Sequence, residues 1–111
     1  MRSKQARTME RYMKAGAEMR LLKSLSARLI TDTGSILLKT QQDKLMRAMD
    51  KVRQLCSLAE EHMFKDYPDL SKDYIDVFYG DVANEPRNEV DKKIIEIAKE
   101  VSDGLFKRKG N

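Results

Sequence analysis

Residues 38–64 read LKTQQDKLMRAMDKVRQLCSLAEEHMF, and this stretch decides the fold class. Leu38, Leu45, Met49, Val52, Cys56, Ala59 and Met63 recur at steps of three, four or seven, which at ~100° per residue places them in one narrow stripe. Lys44, Arg47, Asp50, Lys51, Gln54 and Glu61 fall on the other side. With no Gly or Pro inside, the stretch predicts an amphipathic helix of roughly seven turns. The stripe marks it as the core element around which the other helices pack.

Upstream, the chain is helical in composition from about residue 4, with Met9, Tyr12, Met13, Gly16 and Met19 on one apolar face. Lys4, Arg7, Arg11 and Lys14 line the opposite face. Beyond Met19 the register changes. Leu22, Leu25 and Leu29 lie on the side that the basic residues occupied, nearly half a turn from Met9 and Gly16, and one straight helix with one buried stripe cannot bury both sets. The helix either breaks near Gly16 or gives its second half a different neighbour, such as the C-terminal helix. Thr31-Asp32-Thr33-Gly34-Ser35 is a cluster of turn formers, with Gly34 suited to a positive φ. The cluster joins two helices or tips a small β-hairpin, and the helical periodicity on both flanks favours the helices. Ser35 or Thr40 then caps the second helix, Thr40 and Asp43 forming a partial capping box.

Asp66-Tyr67-Pro68-Asp69 ends that helix, because the residue before a proline is pushed out of the α region. A short helix is expected over about 70–79 and a last one over about 86–106, with Pro86 in its first turn and Asn84 or Glu85 as cap. Val90, Ile94, Ile97, Ala98, Val101 and Leu105 form its stripe. The fold class is therefore all-α, a small bundle built on a long antiparallel hairpin of about 4–30 and 36–65. The expectation is one domain over 1–111, frayed at 1–4 and 107–111.

Composition narrows the function. A hydrophobic fraction of 41% suffices for a core, and 36% charged residues with five Gly and two Pro favour helices. One cysteine forms no intrachain disulfide, and the longest apolar run is too short to span a bilayer, so a cytoplasmic protein without membrane contact is expected. The net charge of +4 conceals segregation: residues 1–53 carry 13 Lys or Arg against 5 acids, residues 54–91 carry 3 against 10, and residues 92–111 carry 6 against 3. The acidic middle either folds over the basic start or leaves each to a partner of opposite sign.

No catalytic, cofactor or metal site is expected. Cys56 and His62 are six apart, about 240° around a helix, and cannot converge on one ion. Asp66, Asp69, Asp73 and Asp76 have a spacing that would line up carboxylates, but Pro68 interrupts the helix they need. Phosphate loops and nucleophile elbows are absent, and neither an enzyme activity nor a small-molecule substrate is expected.

The apolar residues left over by the stripes point instead to a macromolecular surface. Leu22, Leu25 and Leu29 on the first helix and Met46, Leu58 and Phe64 on the second need a cover, from a protein partner or from a second copy of the chain. The expected function is a regulator, adaptor or inhibitor acting by protein contact and self-association. The alternative is nucleic-acid binding through Lys4, Arg7, Arg11, Lys14, Arg20, Lys23 and Arg28, although no aromatic residue lies among them.

Overall fold

The computed structural model describes residues 7–82 and 85–107, and among them every regular element is helical. Three α-helices, α1 (Met9–Asp32), α2 (Lys39–Asp66) and α3 (Glu89–Leu105), are joined by a tight turn and by a segment containing the 3₁₀ turn Lys72–Tyr74. The expected all-α hairpin with a C-terminal helix is present. Lys4 lies outside the described residues.

Each helix starts and stops for a local reason. Thr8 is extended, and its Oγ1 accepts the Arg11 N–H, capping α1. At the far end the Thr33 backbone N–H and hydroxyl both donate to Leu29 O, and Ile36 and Leu37 close the turn onto Thr33 O. Gln42, in the first turn of α2, donates from Nε2 to Ile30 O at 3.2 Å and to Thr33 Oγ1 at 2.6 Å. That cross-link fixes a helical turn where the sequence also allowed a β-hairpin. Gly34 needs no positive φ in this turn. Neither Ser35 nor Thr40 caps α2; Leu38 is the cap position and its N–H is taken by Gln41 Oε1. Tyr67, before Pro68, leaves the α region and stops α2 as expected.

Helix α1 runs unbroken through Gly16. The glycine serves a close approach: a Cβ there would lie 2.6 Å from both Cγ1 and O of Val77. The interior is formed by Tyr12, Met13, Ala17, Cys56, Met63, Val77, Phe78, Ile94 and Ala98. It sits at the open end of the hairpin, where α1 packs on both α2 and α3. Helix α1, rather than the 38–64 helix, is thus the element shared by the two helix pairs.

The expected burial of the whole 38–64 stripe fails here for a spatial reason. Of the 38–64 stripe only Cys56 and Met63 are buried; Leu45, Met49, Val52 and Ala59 are half-buried and Leu38 is exposed. Cys56 Sγ lies 3.3 Å from Met19 Sδ and Ser26 Oγ 3.1 Å from Met49 Sδ, so the two helices stay in antiparallel register towards the tip. The buried contributions from 74–80 and α3 lie at the open end, and the outer half of the hairpin has only two helices to bury its stripe. A two-helix layer covers one side of each member at most.

The helix expected over 70–79 shrinks to the Lys72–Tyr74 turn. Its continuation is captured by α1. Arg20, 1% exposed, donates from Nε to Val77 O at 3.0 Å, and from its two terminal nitrogens to Asp76 O at 2.6 Å and Asp81 O at 3.0 Å. The Val77 carbonyl is thereby given to the guanidinium, while Asp76 O, which also accepts the Tyr79 and Gly80 N–H groups, closes only a single turn. Helix α3 begins at Glu89, three residues later than expected, because Asn88 caps it by accepting the Asp91 N–H at 2.8 Å. Pro86 therefore precedes the helix, Glu85 is not its cap, and Asn84 lies outside the described residues.

Candidate functional site

Buried ionisable groups are the first place to look for chemistry, and here they hold the fold together. Arg20 donates to Asp91 Oδ1 at 2.6 Å, and Asp91 Oδ2 accepts the Arg87 N–H at 3.0 Å. Burial alone would raise the Asp91 pKa, but the Arg87 N–H and the Arg20 guanidinium outweigh it and hold the carboxyl below its ordinary value. Gly80 leaves room for the guanidinium, since a Cβ there would lie 2.5 Å from Arg20 Cζ.

At the other end of the core Asp66 accepts from Arg7 at 2.7 Å and from the Tyr12 hydroxyl. Burial, followed by that hydrogen bond, pushes the Tyr12 phenol up to about 12. Both clusters tie the basic start of the chain to its acidic middle, so part of the charge segregation is offset internally. Cys56 is buried and its thiol is pushed up by that burial, a poor setting for a nucleophile. Asp76 pairs with Arg87 and Asp66 with Arg7, and no three His, Cys, Asp or Glu gather into a cation site among the described residues.

The basic residues named from the sequence do not form one surface. Arg20 is interior, a correction with a clear cause: three carbonyls and Asp91, all distant in sequence, converge on its guanidinium and take the place of water. Arg7 is engaged with Asp66, and Lys23 donates to Tyr79 O at 3.0 Å with its pKa lowered by burial. Arg11, Lys14 and Arg28 are exposed, Arg28 roughly a quarter turn from Arg11 around α1 and several turns further along it.

The apolar residues are different. Leu22, Leu25 and Leu29 are 41%, 63% and 43% exposed, and helix α3, offered as their cover, packs instead beside Met13, Ala17 and Leu21. At 100° per residue the three leucines point about half a turn from Met13, Gly16 and Arg20, and about a quarter turn from Met19 and Ser26, which face α2. They therefore occupy the outer side of the hairpin, away from the core.

Leu58, 49% exposed, and Leu55, 56% exposed, share that side from α2. A groove of about 470 Å³ shows it: Arg11, Ala15 and Glu18 of α1 line it together with Ala59 and His62 of α2, above Tyr12 and Phe78. Ala15 and Glu18 lie one or two turns before Leu22 and Leu25 on one stripe, and Ala59 and His62 lie one turn beyond Leu55 and Leu58 on another. The two stripes run side by side, so the leucines continue the groove towards the hairpin tip. Leu55 escaped the sequence reading. Its signal was angular, about 60° from Leu58 on the wheel and outside the core stripe.

Two other candidates are not part of this face. Met46, 49% exposed, points to the opposite flank of α2, and Phe64 packs against the core. The outer face also carries charge. Arg11 and Lys14 lie at its open end and Lys44, Arg47 and Lys51 beside the tip, all exposed, with Glu18 and Asp32 as the acids on the same stripes. None of these five cations enters an ion pair among the described residues. No helix among the described residues is long and apolar enough to cross a membrane. Comparison of the chain with protein-family models, with curated proteins and with solved structures returns no match.

Proposed function

We propose that this protein is a non-enzymatic binding protein, a regulator, adaptor or inhibitor that acts by protein–protein contact through the outer face of the α1–α2 hairpin. The observation that supports the reading is the leucine band itself: five half-exposed leucines on one side of two packed helices, none of them needed by the core. Scattered exposed leucines are ordinary, but five gathered into one band on a chain this small support the reading of an interaction surface. The helices that carry it are fixed from behind by Arg20 and by the Cys56–Met19 and Gln42–Thr33 contacts, so the surface is preorganised.

The experiment compares wild type with Leu25→Glu. Leu25 is the most exposed of the three α1 leucines, so the variant keeps its helicity and melting temperature. Wild type is expected to form a complex, with itself or with a protein of its native cell, that Leu25→Glu does not form when both are sedimented in cell extract. An identical sedimentation profile for the two would reject the reading. Nucleic-acid binding, the alternative, retains Arg11, Lys14 and Arg28 as exposed contacts, and it requires affinity that falls steeply with salt and ignores Leu25.

A further inference from the structure

We infer that the occupant of this face is an acidic amphipathic helix of another protein. The inference rests on the protein-contact reading above and names the chemistry of the partner. Its basis is the arrangement of charge around the leucines. Antiparallel register sets Leu55 and Leu58 on α2 level with Arg20 and Ala17, and Leu25 and Leu29 on α1 level with Asp50 and Met46, as the Met19–Cys56, Ser26–Met49 and Thr33–Gln42 contacts require. The leucine band therefore crosses the hairpin obliquely, from the open end of α2 to the tip of α1.

That leaves two corners of the face, and both are basic. Arg11 and Lys14 fill the corner at the start of α1, and Lys44, Arg47 and Lys51 fill the corner at the start of α2. A helix laid along the band presents leucine-like side chains to it at i, i+3, i+4 and i+7, and both of its flanks run past unpaired cations. Acidic flanks satisfy them; basic flanks do not.

A second copy fits less well, because stacking this face on itself adds its five cations to five identical ones with only Glu18 and Asp32 to offset them. A nucleic acid would meet the basic corners but has nothing to cover five leucines, and among the described residues the face offers no exposed Phe, Tyr or Trp ring for a base. The groove beside Ala15 and Ala59 is a further fit to a helix: it opens about 470 Å³ over Tyr12 and Phe78 with Arg11, Lys14 and Glu18 at its edge, room for apolar side chains of a docked helix beside charged ones.

The test uses two synthetic amphipathic helices about three heptads long, with leucine at the same i, i+3, i+4 and i+7 positions and either glutamate or lysine on both flanks. Wild type is expected to bind the leucine/glutamate helix at least about tenfold tighter than its lysine counterpart, a difference of ~1.4 kcal/mol. Leu25→Glu is expected to lose about thirtyfold or more. Replacing Lys44, Arg47 and Lys51 together by Glu should reverse the preference between the two helices while leaving the melting temperature near that of wild type.

Equal affinity for the two helices, a preference unmoved by the triple replacement, or no measurable binding of the leucine/glutamate helix would each overturn the inference. Sedimentation separates the two levels. A wild-type dimer that Leu25→Glu dissociates makes a second copy the occupant, which overturns the acidic helix and preserves the protein-contact reading. Salt-sensitive binding to duplex DNA, or binding to anionic phosphatidylserine vesicles, in place of either helix overturns both.

Discussion

Replacing Asp91 by Asn removes one negative charge and almost no volume, and the structure makes it a costly change. Asp91 Oδ1 takes an Arg20 N–H at 2.6 Å and Oδ2 takes the Arg87 N–H at 3.0 Å, so an amide must turn its NH₂ towards one of two donors. Arg20 is 1% exposed and remains charged, without its counter-ion. Removing one member of a buried pair costs about 3–5 kcal/mol, against ~5–15 kcal/mol of total stability for a domain. The carbonyls of Asp76, Val77 and Asp81 still solvate the guanidinium, which places the expectation near the lower bound of that range.

At roughly 4–8 °C per kcal/mol for a chain of this size, the melting temperature should fall by about 15–25 °C. Arg87→Ala is the control: Arg87 Nε is 3.8 Å from Asp91 and its 2.8 Å pair with Asp76 is solvent-exposed, so losing both should cost at most about 1 kcal/mol. The pH dependence carries the same information with a definite sign. Asp91 has a folded pKa below its ordinary value of 3.8, so its contribution is fully present above about pH 4 and is lost as the pH falls through the folded value. Wild type should destabilise over that acid range more steeply than Asp91→Asn, measured by thermal melts monitored by circular dichroism from about pH 2.5 to about pH 7. A variant melting within a few degrees of wild type, or acid profiles that run parallel, would refute the argument that this pair anchors the 76–81 segment.

Further outcomes follow from the same packing. Gly16→Ala should destabilise by about 1–3 kcal/mol in urea titration because its methyl meets the backbone of Val77, whereas Gly104→Ala, with nothing within 4 Å, should stabilise by about 0.5–1 kcal/mol. Met63→Asp should unfold the protein outright, while Met49→Asp in the half-buried outer hairpin should leave a folded chain with a lower melting point; the order of the two is the test. Tyr12→Phe deprives the buried Asp66 of one donor but leaves Arg7, so a loss of about 1–2 kcal/mol is expected, read from chemical denaturation. Leu25→Glu should shift stability by no more than about 0.5 kcal/mol, since only a surface contact is lost.

Periodicity and punctuation, which are local properties, made much legible before any coordinates. The helices appear where apolar spacing of three and four places them, and Pro68 stops α2 because a proline constrains its predecessor whatever the surroundings. The change of register after Met19 is real, and the leucines it singled out are the exposed ones. What a helical wheel carries is direction around one axis. It does not carry how far along that axis a neighbour extends, so Leu45, Met49 and Val52, on the same stripe as Cys56 and Met63, were placed in the core although the third layer does not cover them. Nor does it report what lies across a gap of 56 to 71 positions. Arg20 was grouped with the surface cations by spacing, and only the folded chain brings Asp76 O, Val77 O, Asp81 O and Asp91 around it. For the same reason the expected 70–79 helix is not formed: apolar spacing points to it, but its Asp, Tyr, Ile, Val and Phe are weak helix formers, and a buried guanidinium takes carbonyls of the segment as acceptors. The outer face joins both kinds of information, its leucines read from the wheel of each helix, its continuity from the antiparallel register that sets α1 beside α2.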